Sequence, residues 1–156
     1  MKSDVNRRGD ELMSTHAYIK LVQASAKKSV TLAEVKELLQ YYKEITSKTG
    51  EQLGWGYREA AFPYTIAETP DGKDQWFYLK GEPPRYQTII IGVGKEQLKD
   101  DDSDESREQS FIQVTLPHGA THGDKGKANE FCKFLARKLE GELHLFNGRV
   151  MYYYKR

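Results

Sequence analysis

The sequence predicts an α+β fold of the two-layer sandwich type, in which a mainly antiparallel sheet carries two helices on one face. Several short segments alternate apolar and polar residues, as half-buried strands do. Two longer segments repeat apolar residues at helical spacing. Glycine- and proline-rich turns join neighbouring strands as hairpins, which favours antiparallel pairing. The predicted order of elements is β-α-β-β-β-β-α-β-β.

The length and charge of the chain limit the number of domains and the kinds of protein it can be. A chain of 156 residues corresponds to one ordinary domain. Residues 1–12 are polar and are predicted to be a disordered N-terminal extension, so residues 13–156 form the single α+β domain. The formal net charge is +1, which does not favour a strongly basic nucleic-acid-binding protein.

The first predicted elements are a strand and a helix. Residues 16–22 alternate between apolar and polar side chains, which indicates a half-buried strand. Thr31 and Glu34 have the spacing of a capping box, in which a hydroxyl and a carboxylate satisfy free amides at a helix start. An apolar stripe follows, and Gly50 is predicted to end the helix.

The middle of the chain predicts four strands. A Pro-Asp-Gly-Lys turn joins residues 62–69 to residues 74–80 as a hairpin. Residues 86–93 form the most apolar strand, and residues 111–116 form the next one. Between these two strands, the acidic stretch at residues 99–109 is predicted to be a mobile surface loop.

The last third predicts the second helix and a final hairpin. Asp124 is the predicted N-cap, and Gly141 is predicted to end this helix. Residues 142–146 and 149–155 then pair around an Asn-Gly turn, which is a strong hairpin signal. The predicted buried face of the helix consists of Ala128, Phe131, Cys132, Leu135 and Leu139.

The two faces of the predicted sheet differ in chemistry. One face is aliphatic, and two helices can cover it. The other face is rich in side chains that combine an apolar body with a polar tip, as interfaces do. Alternatively, these residues simply occupy solvent-facing strands because aromatic residues favour strands. The residues in question are Tyr18, Lys20, Trp76, Tyr78, Lys80, Tyr86, Tyr152 and Tyr154.

This aromatic face predicts a non-enzymatic binding or interaction domain, most simply a homodimer or a domain with a protein partner. No catalytic residue is assigned. A platform for single-stranded nucleic acid is disfavoured, because the sequence has neither a basic groove nor an RNA-recognition motif.

The alternative prediction is a ligand site in the loop before the second helix, which could be enzymatic. His118, His122 and Asp124 have a spacing that can converge on a metal, although no further ligand is evident. Lys125 and Lys127 beside a helix N-terminus could instead hold an anion. These patterns are weakly specific, so no metal, cofactor or identifiable small molecule is assigned.

The single cysteine and the N-terminus favour a cytoplasmic protein. Cys132 has no partner for an internal disulfide. The N-terminus lacks the apolar segment of a secretory signal, and no apolar run approaches the length of a membrane span. A membrane association is therefore not expected.

Two stretches resemble a known family. They are FPYTIAETPDGKDQWFYLKG and LPHGATHGDKGKANEFCKFLARKLEGELHLFNGRVMYYYKR. Both resemble a small uncharacterised family of Gram-positive spore-forming bacteria, a domain of unknown function. The resemblance covers the chain from about residue 13 onward. It implies a two-layer α+β fold and carries no catalytic residue to this chain.

Overall fold

The computed structural model describes residues 15–53, 61–68, 70–72, 75–99 and 106–155, with the side chains of residues 49–53 excepted. The predicted disordered extension at residues 1–12 lies outside these ranges. The described elements follow the predicted order and confirm the α+β fold class. They are β1 (His16–Lys20), α1 (Leu32–Leu53), β2 (Tyr64–Ala67), β3 (Trp76–Gly81), β4 (Thr88–Lys99), β5 (Ser106–Thr115), α2 (His122–Leu139), β6 (Glu142–His144) and β7 (Val150–Tyr152).

The seven described strands form one antiparallel sheet in the order β2-β3-β4-β5-β1-β6-β7. Strand β1 lies between β5 and β6, so the N-terminal strand joins the two hairpin-built parts of the sheet. Its register is fixed on both sides, because Tyr18 lies opposite Gln113 of β5 and opposite His144 of β6.

The core lies between the inner face of the sheet and the two helices. Alternate residues of β1, β3, β4 and β5 are fully buried on this face, as period-2 alternation requires. Aromatic rings join the helices: Tyr42 of α1 lies edge-on to Phe131 and Phe134 of α2, with centroid distances of 5.5 and 5.1 Å. The fully buried sheet residues include Ala17, Ile19, Phe77, Leu79, Ile89, Ile91, Ile112, Val114 and Leu143.

The predicted capping box of α1 is confirmed. The Glu34 amide donates to the Thr31 hydroxyl at 3.2 Å, and the Thr31 amide donates to the Glu34 carboxylate at 2.9 Å. The side chain of Lys27 also bonds this carboxylate and, with the Thr31 amide, lowers the pKa of Glu34. The prediction that Gly50 ends α1 is wrong, since the helix continues to Leu53. A glycine inside a helix costs only about 1 kcal/mol, which neighbouring turns can offset.

The predicted N-cap of α2 is also wrong. The cap is Thr121, whose hydroxyl accepts from the Asp124 amide at 3.0 Å, while the Asp124 carboxylate accepts from the Thr121 amide at 3.0 Å. Asp124 is thus the third residue of a capping box and not the cap. At the other end, the left-handed residue is Glu140, with φ of 53°.

Strands β4 and β5 are longer than predicted. They pair as far as Lys99 opposite Ser106, so residues 106–109 belong to a strand and not to a loop. The alternation of apolar residues stops before this point, but a two-stranded ribbon needs only backbone pairing to continue. Residues 100–105, which complete the predicted mobile loop, lie outside the described residues.

Candidate functional site

The sheet has an open face on the side opposite α1 and α2. Side chains on this face alternate with the buried core residues and are partly exposed. Their positions follow from the strand register, which aligns them in rows across the sheet. The open face comprises Trp76, Tyr78 and Lys80 of β3; Thr88, Ile90, Gly92, Gly94 and Glu96 of β4; Phe111, Gln113 and Thr115 of β5; His16, Tyr18 and Lys20 of β1; Glu142 and His144 of β6; and Tyr152 of β7.

A cleft of about 230 Å³ lies in the open face, between Trp76 and Phe111. Its lining includes Gly92 and Gly94 of β4, which have no side chains. A Cβ added at Gly94 would lie 2.7 Å from Cζ of Phe111, so the Phe111 ring rests directly on this glycine. Glycine inside a strand marks such close approaches. We call this depression the glycine cleft.

One rim of the glycine cleft is polar. Gln113 Nε2 donates to the hydroxyl of Thr115 at 3.2 Å, and both groups bond Nδ1 of His16, at 3.0 and 2.9 Å respectively. These three side chains come from β5 and β1, which pair directly. The cleft therefore offers apolar walls and one edge that can exchange hydrogen bonds.

Charges of both signs lie on the open face. Lys20 forms an ion pair with Glu96 at 3.6 Å. The Glu142 carboxylate bonds Nε2 of His144 at 2.7 Å. Lys80 lies 5.2 Å from the ring centroid of Tyr78, a cation–π distance. This mixture of signs differs from the uniformly basic surface that a phosphate backbone attracts.

The aromatic residues of the open face also contact one another. Tyr18 lies edge-on to Phe111, with a centroid distance of 5.8 Å. At the far edge of the sheet, Tyr152 lies edge-on to Tyr154 at 5.8 Å, and the Tyr154 hydroxyl donates to Glu142 at 3.4 Å. Tyr154 follows the end of β7 but thus still reaches this face.

Most of the residues predicted for the aromatic face lie there, but Tyr86 does not. Tyr86 precedes β4 and packs on the helix side, 5.5 Å from the ring of Tyr64. Its ring would contact a Cβ placed on Gly123 at 2.7 Å, so it lies against the start of α2. Tyr86 was predicted on the open face because it was counted as part of the alternating strand. In the structure that strand begins only at Thr88. The structure brings together Tyr18, Lys20, Trp76, Tyr78, Lys80, Tyr152 and Tyr154.

The loop predicted as the alternative site does not converge. The carboxylate of Asp124 is fully buried and accepts from Tyr64, from the Gln87 amide and from the Thr121 amide. Burial and this bond to Asp124 raise the pKa of Tyr64. His118 and His122 are exposed to solvent. A carboxylate with three protein donors is a structural anchor, so it does not present its oxygens to a ligand.

The two lysines predicted for that site lie in the first turns of α2. Lys125 is exposed, and Lys127 forms an ion pair with Glu130 at 3.0 Å. Among the residues that the structure describes, no three His, Cys, Asp or Glu side chains are grouped to hold a metal ion.

Cys132 lies in the core on α2 and is fully buried. Burial raises the pKa of its thiol to about 12. Because the thiolate is the nucleophile, a thiol with this pKa is unreactive at neutral pH. Cys132 is a core residue, as its place on the apolar face of the predicted helix indicated.

Sequence reasoning missed the glycine cleft and the polar residues beside it. Gly92 and Gly94, two residues apart inside an apolar strand, were the available signal, because isolated strand glycines mark close approach. His144 and Glu142 alternate with buried Leu143, which could have placed them on the open face. The contact of Phe111 with Gly94 could not be found without the register of β4 and β5.

The described helices do not cross a membrane: neither α1 nor α2 combines sufficient length with a sufficiently apolar composition.

The comparisons with known proteins agree with the fold. A crystal structure of a protein of unknown function from Bacillus stearothermophilus is 46% identical in sequence, with 81% of this chain and 91% of that chain covered and a TM-score of 0.51. That organism is a Gram-positive spore-former, so the resemblance noted in the sequence is confirmed. No curated protein matches the chain significantly. The family profile of the domain of unknown function DUF1885 matches residues 15–155, and the chain therefore belongs to this family.

Proposed function

We propose that the protein is a non-enzymatic cytoplasmic interaction domain, and that it forms a homodimer by pairing the open faces of two copies. The observation that carries this proposal is a partly exposed aromatic sheet face, with a cleft, on the side opposite both helices. The cytoplasmic assignment is supported by a lone, buried, reduced cysteine.

The side chains of the open face support a protein partner. Trp76, Tyr78 and Tyr18 have the chemistry of interface anchors, because they bury large apolar areas while keeping one polar atom that can be satisfied. Tryptophan and tyrosine are enriched among the residues that dominate binding energy.

The charges of the open face support a second copy in particular. Lys20 and Lys80 share the face with Glu96 and Glu142, so its charges nearly balance. The whole chain carries a net charge of only +1. Two copies therefore approach with little repulsion, whereas a strongly charged partner gains little from this surface.

The size of the open face also suits a dimer. Seven strands spaced by about 4.8 Å span about 29 Å. The strands have between 3 and 12 residues, and their mean length of about six residues corresponds to about 20 Å. The flat area is thus on the order of 600 Å². A standard interface buries about 800 Å² of accessible surface per partner. The accessible surface of the side chains is larger than this flat area. The open face can therefore supply an interface of standard size only when the contact extends over the whole face.

Sedimentation velocity over a wide range of protein concentration tests the proposal. We expect the wild-type chain to sediment as a dimer at high concentration. The double variant Trp76→Ala, Tyr78→Ala should be monomeric, because it removes two large aromatic side chains from the open face while leaving the core residues unchanged.

The matched control is Tyr41→Ala. Tyr41 is another partly exposed aromatic residue, 44% accessible, but it lies on α1 in the helix layer. This variant should dimerise like the wild type. Circular dichroism confirms that each variant is folded. A wild-type chain that stays monomeric at the highest concentration, or a double variant that dimerises normally, contradicts the proposal.

A further inference from the structure

The area of the open face limits where a two-fold axis of the homodimer can lie. An interface of standard size needs contact over the whole face, so every described strand of one copy has to lie opposite a strand of the other. For an axis parallel to the strands, only a position above the central strand meets this requirement. The sheet order is β2-β3-β4-β5-β1-β6-β7, so the central strand is β5. Rotation about this axis places β4 opposite β1, β3 opposite β6, and β2 opposite β7.

The open-face residues of β5 suit a position on a two-fold axis. Each residue on such an axis meets its own copy, so it has to be compatible with itself. Phe111, Gln113 and Thr115 are uncharged. Two glutamine amides can exchange two hydrogen bonds, because each has donors and an acceptor, and two hydroxyl groups can also bond each other. The lysines and glutamates of the open face lie on other strands; they are Lys20, Lys80, Glu96 and Glu142.

One row of the open face contains both Tyr18 and part of the glycine cleft. Trp76 of β3 lies opposite Gly92, Gly92 opposite Gln113, and Gln113 opposite Tyr18 of β1. Tyr18 in turn lies opposite His144 of β6. Rotation about an axis parallel to the strands keeps each row at its own level. An axis above β5 therefore makes Gly92 of one copy face Tyr18 of the other, and Trp76 face His144.

The glycine cleft has room for a side chain at Gly92. The three atoms nearest to a Cβ placed there are the Gln75 carbonyl oxygen and the Cβ and Cα of Trp76. No ring therefore rests on Gly92 in the way that the Phe111 ring rests on Gly94. The cleft has a volume of about 230 Å³, which is below the roughly 300–1,000 Å³ of small-molecule sites. It fits a single side chain of a partner better than a whole ligand.

We infer that the two-fold axis of the proposed homodimer lies above β5, and that the Tyr18 ring of each copy enters the glycine cleft of the other above Gly92. This inference rests on the proposed function and specifies its geometry. Both contacts are identical, as in isologous dimers. Trp76 is then a wall of the cleft that holds the tyrosine of the second copy. Sheets packed face to face lie about 10 Å apart, and their side chains interdigitate in this way.

The contacts of Tyr18 within its own chain are compatible with this role. Its ring lies 5.8 Å from the ring of Phe111 and 6.2 Å from the ring of His16, yet the side chain is partly exposed. Neighbouring rings restrict the rotamers of the free chain, so less conformational entropy is lost when Tyr18 enters the cleft. The lining of the cleft includes Gln113 and Thr115, which have polar groups that a tyrosine hydroxyl can bond.

A two-fold axis perpendicular to the strands would also cover the open face. It would lay each strand on its own copy, so the glycine cleft of one copy would lie over β3 to β5 of the other, where the second cleft lies. Two depressions would then face the same space, and the side chains that line them would lose packing contacts. The axis above β5 instead pairs each depression with an aromatic ring.

Charge reversal on the axis tests the position of β5. Gln113→Glu and Gln113→Lys each place two like charges face to face, so either variant alone should raise the dissociation constant at least about tenfold. In a mixture, the glutamate of one chain faces the lysine of the other. Native mass spectrometry of the isotope-labelled mixture should show more heterodimers than random pairing gives. Thr115→Glu and Thr115→Lys repeat the test on the axis if a Gln113 variant does not fold.

The matched control is the pair Tyr152→Glu and Tyr152→Lys. Tyr152 is exposed and lies on the open face of β7. Its strand is three spacings from the axis, so the two copies of this residue are separated by about 29 Å across the strands. Like charges at this distance are largely screened. A mixture of these two variants should therefore contain heterodimers only in the random proportion.

A double-mutant cycle tests whether Tyr18 enters the cleft. Tyr18 and Trp76 of one chain are three strand spacings apart, about 14 Å, so their substitutions should act independently within a chain. Tyr18→Leu and Trp76→Leu should each raise the dissociation constant by about tenfold. Together they should raise it by clearly less than about a hundredfold, because both remove the same contact between copies. Sedimentation velocity measures the constants, and Tyr152→Leu with Trp76→Leu is the control pair, whose effects should multiply.

The outcomes separate this inference from the proposed function. A wild-type monomer overturns both together. If the wild type dimerises but the charge-reversed pairs on β5 form no excess of heterodimers, the axis lies elsewhere and only the inference is overturned. If the effects of Tyr18→Leu and Trp76→Leu multiply in a chain that dimerises, Tyr18 does not enter the cleft, and the inference is again overturned alone.

Discussion

At the scale of single residues, Asp124 connects three separate parts of the chain. Its carboxylate accepts from the Tyr64 hydroxyl at 2.5 Å, from the Gln87 amide at 3.1 Å and from the Thr121 amide at 3.0 Å. Those donors belong to β2, to the segment before β4 and to the start of α2. A buried carboxylate is tolerated only when it is bonded in this way.

We predict that Asp124→Asn destabilises the fold by roughly 2–4 kcal/mol. The amide group of asparagine brings donor hydrogens toward groups that are already donors, so at least one buried bond is lost. Tyr64→Phe should cost less, about 1–2 kcal/mol, because Asp124 then retains both backbone donors. Urea unfolding monitored by circular dichroism measures the two changes. If Asp124→Asn unfolds at the wild-type midpoint, the carboxylate is not the anchor described here.

Asp124 also shows what the sequence could and could not specify. The segment from Thr121 to Asp124 has the spacing of a capping box, so the cap could have been placed correctly. The hydrogen bond from Tyr64 could not have been predicted, because 60 residues separate Tyr64 from Asp124 in the chain. Such a pairing depends on how α2 is positioned relative to β2, which local sequence patterns do not contain.

At the scale of elements, two glycines of α2 have opposite roles. A Cβ on Gly123 would lie 2.7 Å from the Arg85 carbonyl oxygen and from the Tyr86 ring, whereas a Cβ on Gly126 would meet nothing within 4 Å. Gly123 therefore permits the close approach of α2 to the segment before β4. Gly126 has no such contact in its helix.

We predict that Gly126→Ala stabilises the protein by about 0.5–1 kcal/mol, because alanine restricts the unfolded chain and favours helix. Gly123→Ala should destabilise it by about 1–3 kcal/mol, because the carbonyl group must move. Thermal unfolding of the two single variants gives both signs in one experiment. Equal effects at the two positions would show that the backbone contact at Gly123 is unimportant.

The elements themselves were predictable where local signals agree. Alternation located β1 and the inner residues of β3 to β5, and the capping box located the start of α1. The ribbon beyond Val93 was missed because its residues are polar, while backbone pairing with β5 continues regardless of side-chain polarity. Alternating apolar and polar residues indicate a strand only where one face of it is buried. This ribbon extends beyond the core, so its residues do not show that pattern.

At the scale of the whole molecule, the two chemically distinct faces of the sheet follow from alternation alone. The aliphatic residues of β1, β3, β4 and β5 are buried beneath the helices, while Trp76, Tyr78 and Tyr18 lie on the other side. The glycine cleft could be found only from the register of β3, β4 and β5, which is set by turns and long-range pairing. The sequence thus predicted the aromatic surface but not the shape within it.

Dimerisation through this surface also predicts how stability depends on concentration. When a native dimer unfolds to two separate chains, mass action stabilises the dimer as protein concentration rises. For a domain of this size, each tenfold increase in concentration should raise the melting temperature by about 2 °C. Tyr41→Ala should retain this slope, whereas the Trp76→Ala, Tyr78→Ala variant should melt at one temperature throughout. Differential scanning calorimetry over a hundredfold range of protein concentration measures how the melting temperature changes. A wild-type melting temperature that is independent of concentration would indicate that the folded unit is the single chain, with its open face in contact with water.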